Sequence, residues 1–223
     1  MNDCYSFSDN FFIKLAITCN NLFLSLVVVC LVFFFIIYRP YLNCLDQEDP
    51  FLIHTLQFHN LVPPSQDKYN FSVPAEDVQL FGQFGQPEFL DRVIFKGAVK
   101  DGFFIEAGAD DFETDSNTLL FEMKHNWSGL LVEPNPVSYP KGLTKKRRAW
   151  FSPTCLGTKQ GPHMALFSQS SVIGGMAGLV HQQGKDTCEI QCLPLYSLLM
   201  AVGNKTVNYL SLDVEGAEFL VSY

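Results

Sequence analysis

Three acids and one glycine in a short stretch have the types and spacing to hold a ligand rich in hydroxyls. Glu106 and Gly108 close the apolar run Phe103-Phe104-Ile105, Asp110 follows, and Glu133 closes a second apolar run, Leu130-Leu131-Val132. Glycine has no Cβ, so the backbone at Gly108 can turn sharply and approach a ligand closely. An acid at the end of the next strand is placed to accept hydrogen bonds from ribose hydroxyls. The separation of Gly108 from Glu133 is about that of a dinucleotide or adenosine site, roughly 20 residues or a little more. The helix between them would offer unpaired N–H groups to a carboxylate or other anion. The same residues also fit a plain turn and an ordinary strand-end glutamate, and the pattern alone does not choose.

A second group of acids, Asp213 and Glu215, follows the apolar run Val207 to Leu212. At the same sheet edge they would border an acceptor, orienting a hydroxyl or a metal ion, or they would accept backbone N–H bonds as helix caps do. No His or Lys is tied to these positions by spacing, so no general base stands out.

To position these groups the chain needs strands that end where the acids sit. Asp101 to Pro136 reads as strand, turn, helix, strand, with Leu119, Leu120 and Met123 at helical spacing. That unit builds a parallel sheet with ligand sites at its strand C-termini. Ala149 to Leu156 fits a third strand, His163 to Phe167 and Cys188 to Leu193 two more, and Leu195 to Met200 a short helix. Gln86 to Lys100 is expected as an entering helix that packs Phe89, Leu90, Val93 and Ile94 on the sheet. The Gly-rich loop from Ile173 to Gly178 lacks the Lys-Ser/Thr of a phosphate loop. Lys141, Lys145, Lys146, Arg147 and Arg148 are expected as a solvated basic face.

A net charge of −8 argues against a nucleic-acid partner, because phosphate binding wants a basic surface. Seven cysteines in 223 residues are too few for a disulfide scaffold. Cys188 and Cys192 lack a second close pair, and His54 and His59 lack partners, so no metal site is expected.

Near the amino terminus, Leu22 to Tyr38 is apolar except for Ser25, and Leu15 to Cys19 lengthens the run. A bilayer core needs about 20 such residues, with ~17 as the short limit. The nearly neutral start and the ending Ile-Ile-Tyr-Arg-Pro lack the marks of a cleaved signal peptide. Residues 15–38 are therefore expected as a transmembrane helix behind a short tail, 1–14, with the lipid bilayer as partner. Residues 39–85, punctuated at Pro40, Pro50, Pro63-Pro64 and Pro74, are expected as a membrane-proximal stalk, and 86–223 as the domain. Within the stalk, Leu52, Ile53, Leu56 and Phe58 fit a short helix or a strand equally well. The charge balance tilts towards a cytoplasmic amino terminus. Glycosylation sequons at Asn70, Asn126 and Asn204 favour a lumenal domain, with Asn70 in the stalk the expected site of modification. An oxidising lumen would allow Cys155 and Cys192 to pair, although sequence alone does not bring them together.

Gly108-Ala109 through Ser116-Asn117-Thr118, Glu122, Trp127 to Asn135, and then Leu210-Ser211-Leu212-Asp213-Val214-Glu215-Gly216-Ala217-Glu218 resemble the FkbM-type methyltransferase family. The resemblance covers residues 100 to 223. It implies an α/β, Rossmann-like methyltransferase parallel sheet behind the transmembrane helix. It also implies S-adenosylmethionine held by Glu106, Gly108, Asp110, Asn117 and Glu133, with Asp213 and Glu215 as the catalytic candidates. Two departures stand out. Asp111-Phe112 takes the place of a further glycine and is expected to crowd the methionine end of the cofactor. The family's fold normally continues with three more strands beyond Tyr223, so the sheet is expected to be truncated on its C-terminal side.

Within the family, the run from Glu106 to Glu122 beside an N-terminal membrane segment is most similar to the Star-like proteins of invertebrates. That likeness implies a single-pass, type II protein of the endoplasmic reticulum, Golgi, endosome and plasma membrane. Its role would be to help export a membrane-anchored growth-factor precursor, with the methyltransferase-like domain as scaffold. The alternative is a secretory-pathway O-methyltransferase that uses S-adenosylmethionine.

Overall fold

The computed structural model describes residues 41–72, 74, 76, 80, 82–168, 175–176 and 187–221. The expected tail 1–14 and span 15–38 lie outside these residues. Among the described residues no helix is long and apolar enough to cross a membrane.

Pro50 at the first helical position, and the Asp49 carboxylate that accepts the Phe51 N–H at 2.8 Å, start α1 (Pro50–Thr55). A wider turn, Leu56–Asn60, continues it, so the undecided segment around Leu52 is helical. Leu42, Leu45, Leu52, Leu56 and Leu61 are buried in one apolar cluster with Phe103, Ile105, Leu130 and Val132. Val62 exchanges backbone hydrogen bonds with Phe151, and the Ser65 and Asn70 N–H groups reach the carbonyls of Arg147 and Lys145. The segment expected as a stalk thus packs on the domain from Leu42 onward. Burial of a leucine stabilises by about 1.5–3 kcal/mol, which five of them cannot forgo.

The next helix, α2 (Gln86–Phe89), passes into a wider turn, Leu90–Phe95, and ends where Lys96 takes a φ of 53°. Here the expected face is wrong. Leu90 and Phe95 pack inward, whereas Phe89, Val93 and Ile94 face solvent. Asp91 decides the rotation: its buried carboxylate accepts from Lys124 Nζ at 2.8 Å and meets His125 Nε2 at 2.7 Å. A carboxylate paired in this way points to Lys124 and His125, and Val93 and Ile94 are left facing outward.

The expected unit follows as β1 (Phe103–Ala107), α3 (Leu119–His125) and β2 (Ser128–Val132). β1 and β2 run parallel, with Glu106 opposite Leu131 and Ala107 opposite Val132. Alternation sends Phe103, Ile105 and Ala107 into the cluster of the N-terminal leucines. Phe104 goes to the other face, with Leu131, Phe121 and Trp127. After α4 (Tyr139–Thr144) comes β3 (Trp150–Ser152), parallel to β2.

The third strand expected over 149–156 is split. Pro153 offers no ladder N–H, and the chain leaves the first sheet there. β4 (Cys155–Leu156), β5 (His163–Ser168), β6 (Gly175–Met176) and β7 (Thr187–Leu193) form a second sheet in the order β4-β7-β5-β6. Of the Gly-rich loop only residues 175–176 are described. Cys155 and Cys192 face each other in the β4–β7 register and form a disulfide. α5 (Leu195–Ala201) brings the chain back to β8 (Tyr209–Leu212), parallel to β1, and α6 (Glu218–Val221) follows. The central sheet is β3-β2-β1-β8, all parallel, and the fold is α/β.

Candidate functional site

The C-terminal ends of β1, β2 and β8 meet at one edge, and a cleft of about 230 Å³ opens there. All seven residues singled out from the sequence line it: Glu106, Gly108, Asp110, Asn117, Glu133, Asp213 and Glu215. A smaller cavity of about 50 Å³ shares Gly108, Glu133 and Asp213 and is walled by apolar groups that include Leu156 and Phe167.

Gly108 takes a φ of 84°, and a Cβ built on it would lie 1.9 Å from the Asp213 carbonyl oxygen. Its role is therefore to let β8 close against β1. That close approach brings Asp213 beside the turn.

Glu106 is fully buried within the protein. Its carboxylate accepts the Asn117 N–H at 2.6 Å, the Ser116 hydroxyl at 2.9 Å and the Thr118 hydroxyl at 2.6 Å. The anion expected at the start of α3 is thus this chain's own. Burial pushes the Glu106 carboxyl up, and the nearby Arg147 charge and these three bonds oppose the shift. The result is a fixed loop, 106–118, with Asn117 at the cleft. Asn117 is 7 % exposed, and its Oδ1 has no hydrogen-bond partner among the described residues.

Glu133 accepts the Asp110 N–H on one oxygen at 2.8 Å and the Asn135 N–H on the other at 2.7 Å. Burial pushes its carboxyl up to about 7 against those two bonds. A raised folded pKa favours the fold below the unfolded value of 4.5, and the advantage is lost as pH rises towards 7. Stability is expected to fall by about 3 kcal/mol over that window, and Glu133→Gln should flatten the dependence. Urea denaturation at pH 5 and pH 8 measures it; equal slopes for the two proteins would refute the assignment.

The two readings of the C-terminal acids separate cleanly. Glu218 does the capping, because its carboxylate accepts the N–H groups of Val214 at 3.0 Å and Gly216 at 3.0 Å. Asp213 and Glu215 line the cleft, and among the described residues neither carboxylate takes a hydrogen bond. Burial, with the Glu218 charge, raises the Asp213 carboxyl; burial, with Asp213 and Glu218, raises Glu215.

Phe112 does not crowd the turn. Its ring is 2 % exposed, 4.9 Å from Phe151 and seated on Gly142, in the core on the far side of the loop. The basic face also needs correction. Lys145 is buried and bonded to Glu113, and Arg147 is buried in contact with Glu122, Phe112, Ser116 and Thr118.

Sequence reading missed Gln83, Thr114, Asp115, Ser116, Asn135 and Ser211 in the cleft. Ser211 carried a signal, since it interrupts an apolar strand two residues before Asp213 and so shares its side. Gln83 carried none, being in the segment assigned to the stalk.

No curated protein and no solved structure matches this chain. The model of the methyltransferase FkbM domain matches residues 106–221, just over half the chain, from Glu106 of β1 to Val221 of α6. A parallel sheet with every expected acid at one strand edge, together with that match, means that the chain belongs to the methyltransferase FkbM domain family.

Proposed function

We propose that the cleft binds S-adenosylmethionine and that the domain methylates a hydroxyl-bearing acceptor. The observation that carries this reading is the chemistry of the lining. Among the described residues the cleft has six carboxylates and no Lys or Arg, and its buried Asn117 Oδ1 waits for a donor. Such a site repels phosphates and suits a ligand that brings hydroxyls and positive charge. S-adenosylmethionine has both, and when bound it would supply an electrophilic methyl group on a sulfonium. Glu133 is the residue to hold ribose hydroxyls, Asn117 Oδ1 accepts one further donor, and Gly108 keeps the turn open. Asp213 and Glu215, with raised carboxyls, are the groups to take the acceptor's proton. Phe112, seated in the core and outside the cleft lining, poses no obstacle to this reading.

Isothermal titration of the full chain with S-adenosylmethionine tests the reading. Glu133→Ala should weaken binding by about 1.5–3 kcal/mol. Asn117→Ala should weaken it about tenfold without lowering stability, because a buried unpaired acceptor costs about 1–3 kcal/mol in the unliganded fold. A folded chain that gives no binding heat would overturn it.

A second reading makes the chain a Star-like, type II membrane protein of the secretory route, with the domain as scaffold in exporting a growth-factor precursor. The Cys155–Cys192 disulfide supports the location, since such bonds persist in oxidising compartments. The apolar run 15–38 would anchor it, and the domain would face the lumen. Intact export of a membrane-anchored client by a chain without cofactor binding would favour this reading over the first.

A further inference from the structure

We propose that Asn204 carries an N-linked glycan and that Asn70 and Asn126 do not. The proposal rests on the lumenal placement just given. In the folded protein a glycosylated asparagine needs an Nδ2 that the fold does not use and room for the sugar around its sequon.

Only one of the three sequons offers both. Asn126 donates from Nδ2 to Asp101 at 2.6 Å. Its middle residue, Trp127, is 2 % exposed, and Ser128 opens β2 with its N–H on the Gly102 carbonyl. Asn70 is no freer: its Nδ2 donates to the Thr144 carbonyl at 3.1 Å, while Ser72 is held by Glu113 and Lys145. Packing of the expected stalk on the domain has thus removed the site that the sequence favoured.

Asn204, Lys205 and Thr206 are all exposed in the turn between α5 and β8. Asn204 has a φ of 49° and anchors the turn through its backbone, with its N–H on the Leu199 carbonyl at 2.9 Å. Its side-chain amide has no partner among the described residues. The backbone holds the turn, and the side chain is left to react.

The location also suits a functioning cleft. The turn precedes Tyr209, at the start of β8, whereas the cleft lies beyond Leu212 at the other end. A glycan at Asn204 therefore projects from the opposite edge of the sheet and leaves the ligand cleft open. The co-reactant is a lipid pyrophosphate-linked oligosaccharide. Asn204 Nδ2 forms a bond to C1 of the first sugar, the C1–oxygen bond to pyrophosphate breaks, the lipid pyrophosphate leaves, and one amide proton passes to the transferase base.

The test is expression of the full chain in cells with a secretory pathway, followed by peptide N-glycosidase digestion and peptide mass spectrometry. The expected result is one step of gel mobility lost on digestion, absent in both Asn204→Gln and Thr206→Ala, and retained in Asn70→Gln and Asn126→Gln. Thr206→Ala guards against a folding effect at Asn204, since it leaves that side chain in place. Modification at Asn70 or Asn126 with Asn204 bare would overturn the assignment and leave the lumenal placement standing. No glycan anywhere, with Cys155 and Cys192 disulfide-linked, would also overturn the assignment alone. No glycan, with both cysteines open to a cytosolic thiol reagent, would overturn the assignment and the secretory reading together.

Discussion

Gly108→Val is expected to unfold the domain, and not merely to block a ligand. An L-residue at a φ of 84° costs about 1–2 kcal/mol, more for a branched side chain. The larger cost is spatial. The new Cβ would stand 1.9 Å from the Asp213 carbonyl, which is backbone and cannot rotate away. Either β8 moves off β1, losing the Asp213 N–H to Ala107 carbonyl bond at 2.9 Å, or the turn at Gly108 breaks. Together these should exceed about 4–5 kcal/mol, the range kept for severe core defects. Gly216 supplies the control, since its φ is 93° and a Cβ there meets nothing within 4 Å. Gly216→Val should lose only the strain term, and the difference in urea midpoints isolates the contact with β8. Cooperative unfolding of Gly108→Val near the midpoint of Gly216→Val would defeat the argument.

Gly108, Glu133 and Asp213 were legible because strand ends and turns leave local traces: an apolar run, then an acid or a glycine. The partner of Gly108 was not, because Asp213 lies more than a hundred residues away and only the parallel pairing of β1 with β8 brings it in. The stalk reading failed for a similar reason. Its prolines mark turns correctly, yet a turn-rich segment with leucines at 42, 45, 52, 56 and 61 needs a surface to cover, and no local pattern says which. α2 was turned the wrong way because Val93 and Ile94 outrank Asp91 in any hydrophobic pattern. The hydrogen bonds of the buried Asp91 carboxylate with His125 and Lys124 outranked them in the fold.

The second sheet was legible as strands but not as a separate layer. Cys188 to Leu193 alternates as a strand should and His163 to Phe167 is a short, mostly apolar run, but neither pattern names a neighbour. Pro153 was the one local sign that the chain leaves the first sheet. The disulfide then fixes what the sequence left open, joining β4 to β7 beside the wall of the smaller cavity at Leu156.

Arg147→Met is expected to destabilise the fold by about 3–5 kcal/mol, the cost of stranding a buried charge. Arg147 was read as part of a solvated basic face, and nothing in the run Lys145-Lys146-Arg147-Arg148 separates its members. In the fold, Nε donates to Glu122 at 2.7 Å, and the two remaining nitrogens reach the Phe112 carbonyl at 2.6 Å and the hydroxyls of Ser116 and Thr118. Those hydroxyls in turn donate to Glu106, so one guanidinium supports two buried carboxylates and the loop that presents Asn117. Lysine cannot replace it, being a single point of charge where a planar fork is used, so Arg147→Lys should recover only part of the loss. Adding Glu122→Gln to Arg147→Met should restore part of the stability, because one of the stranded charges is gone. Lys146→Ala, at a pair with Asp67 in which both side chains are substantially exposed, should change almost nothing. Urea denaturation of the four proteins decides it. A loss at Arg147→Met as small as that at Lys146→Ala would mean that Glu106 and Glu122 do not depend on this charge. In the expected case S-adenosylmethionine affinity should fall as well, since Arg147 holds Ser116 and Thr118 on either side of Asn117.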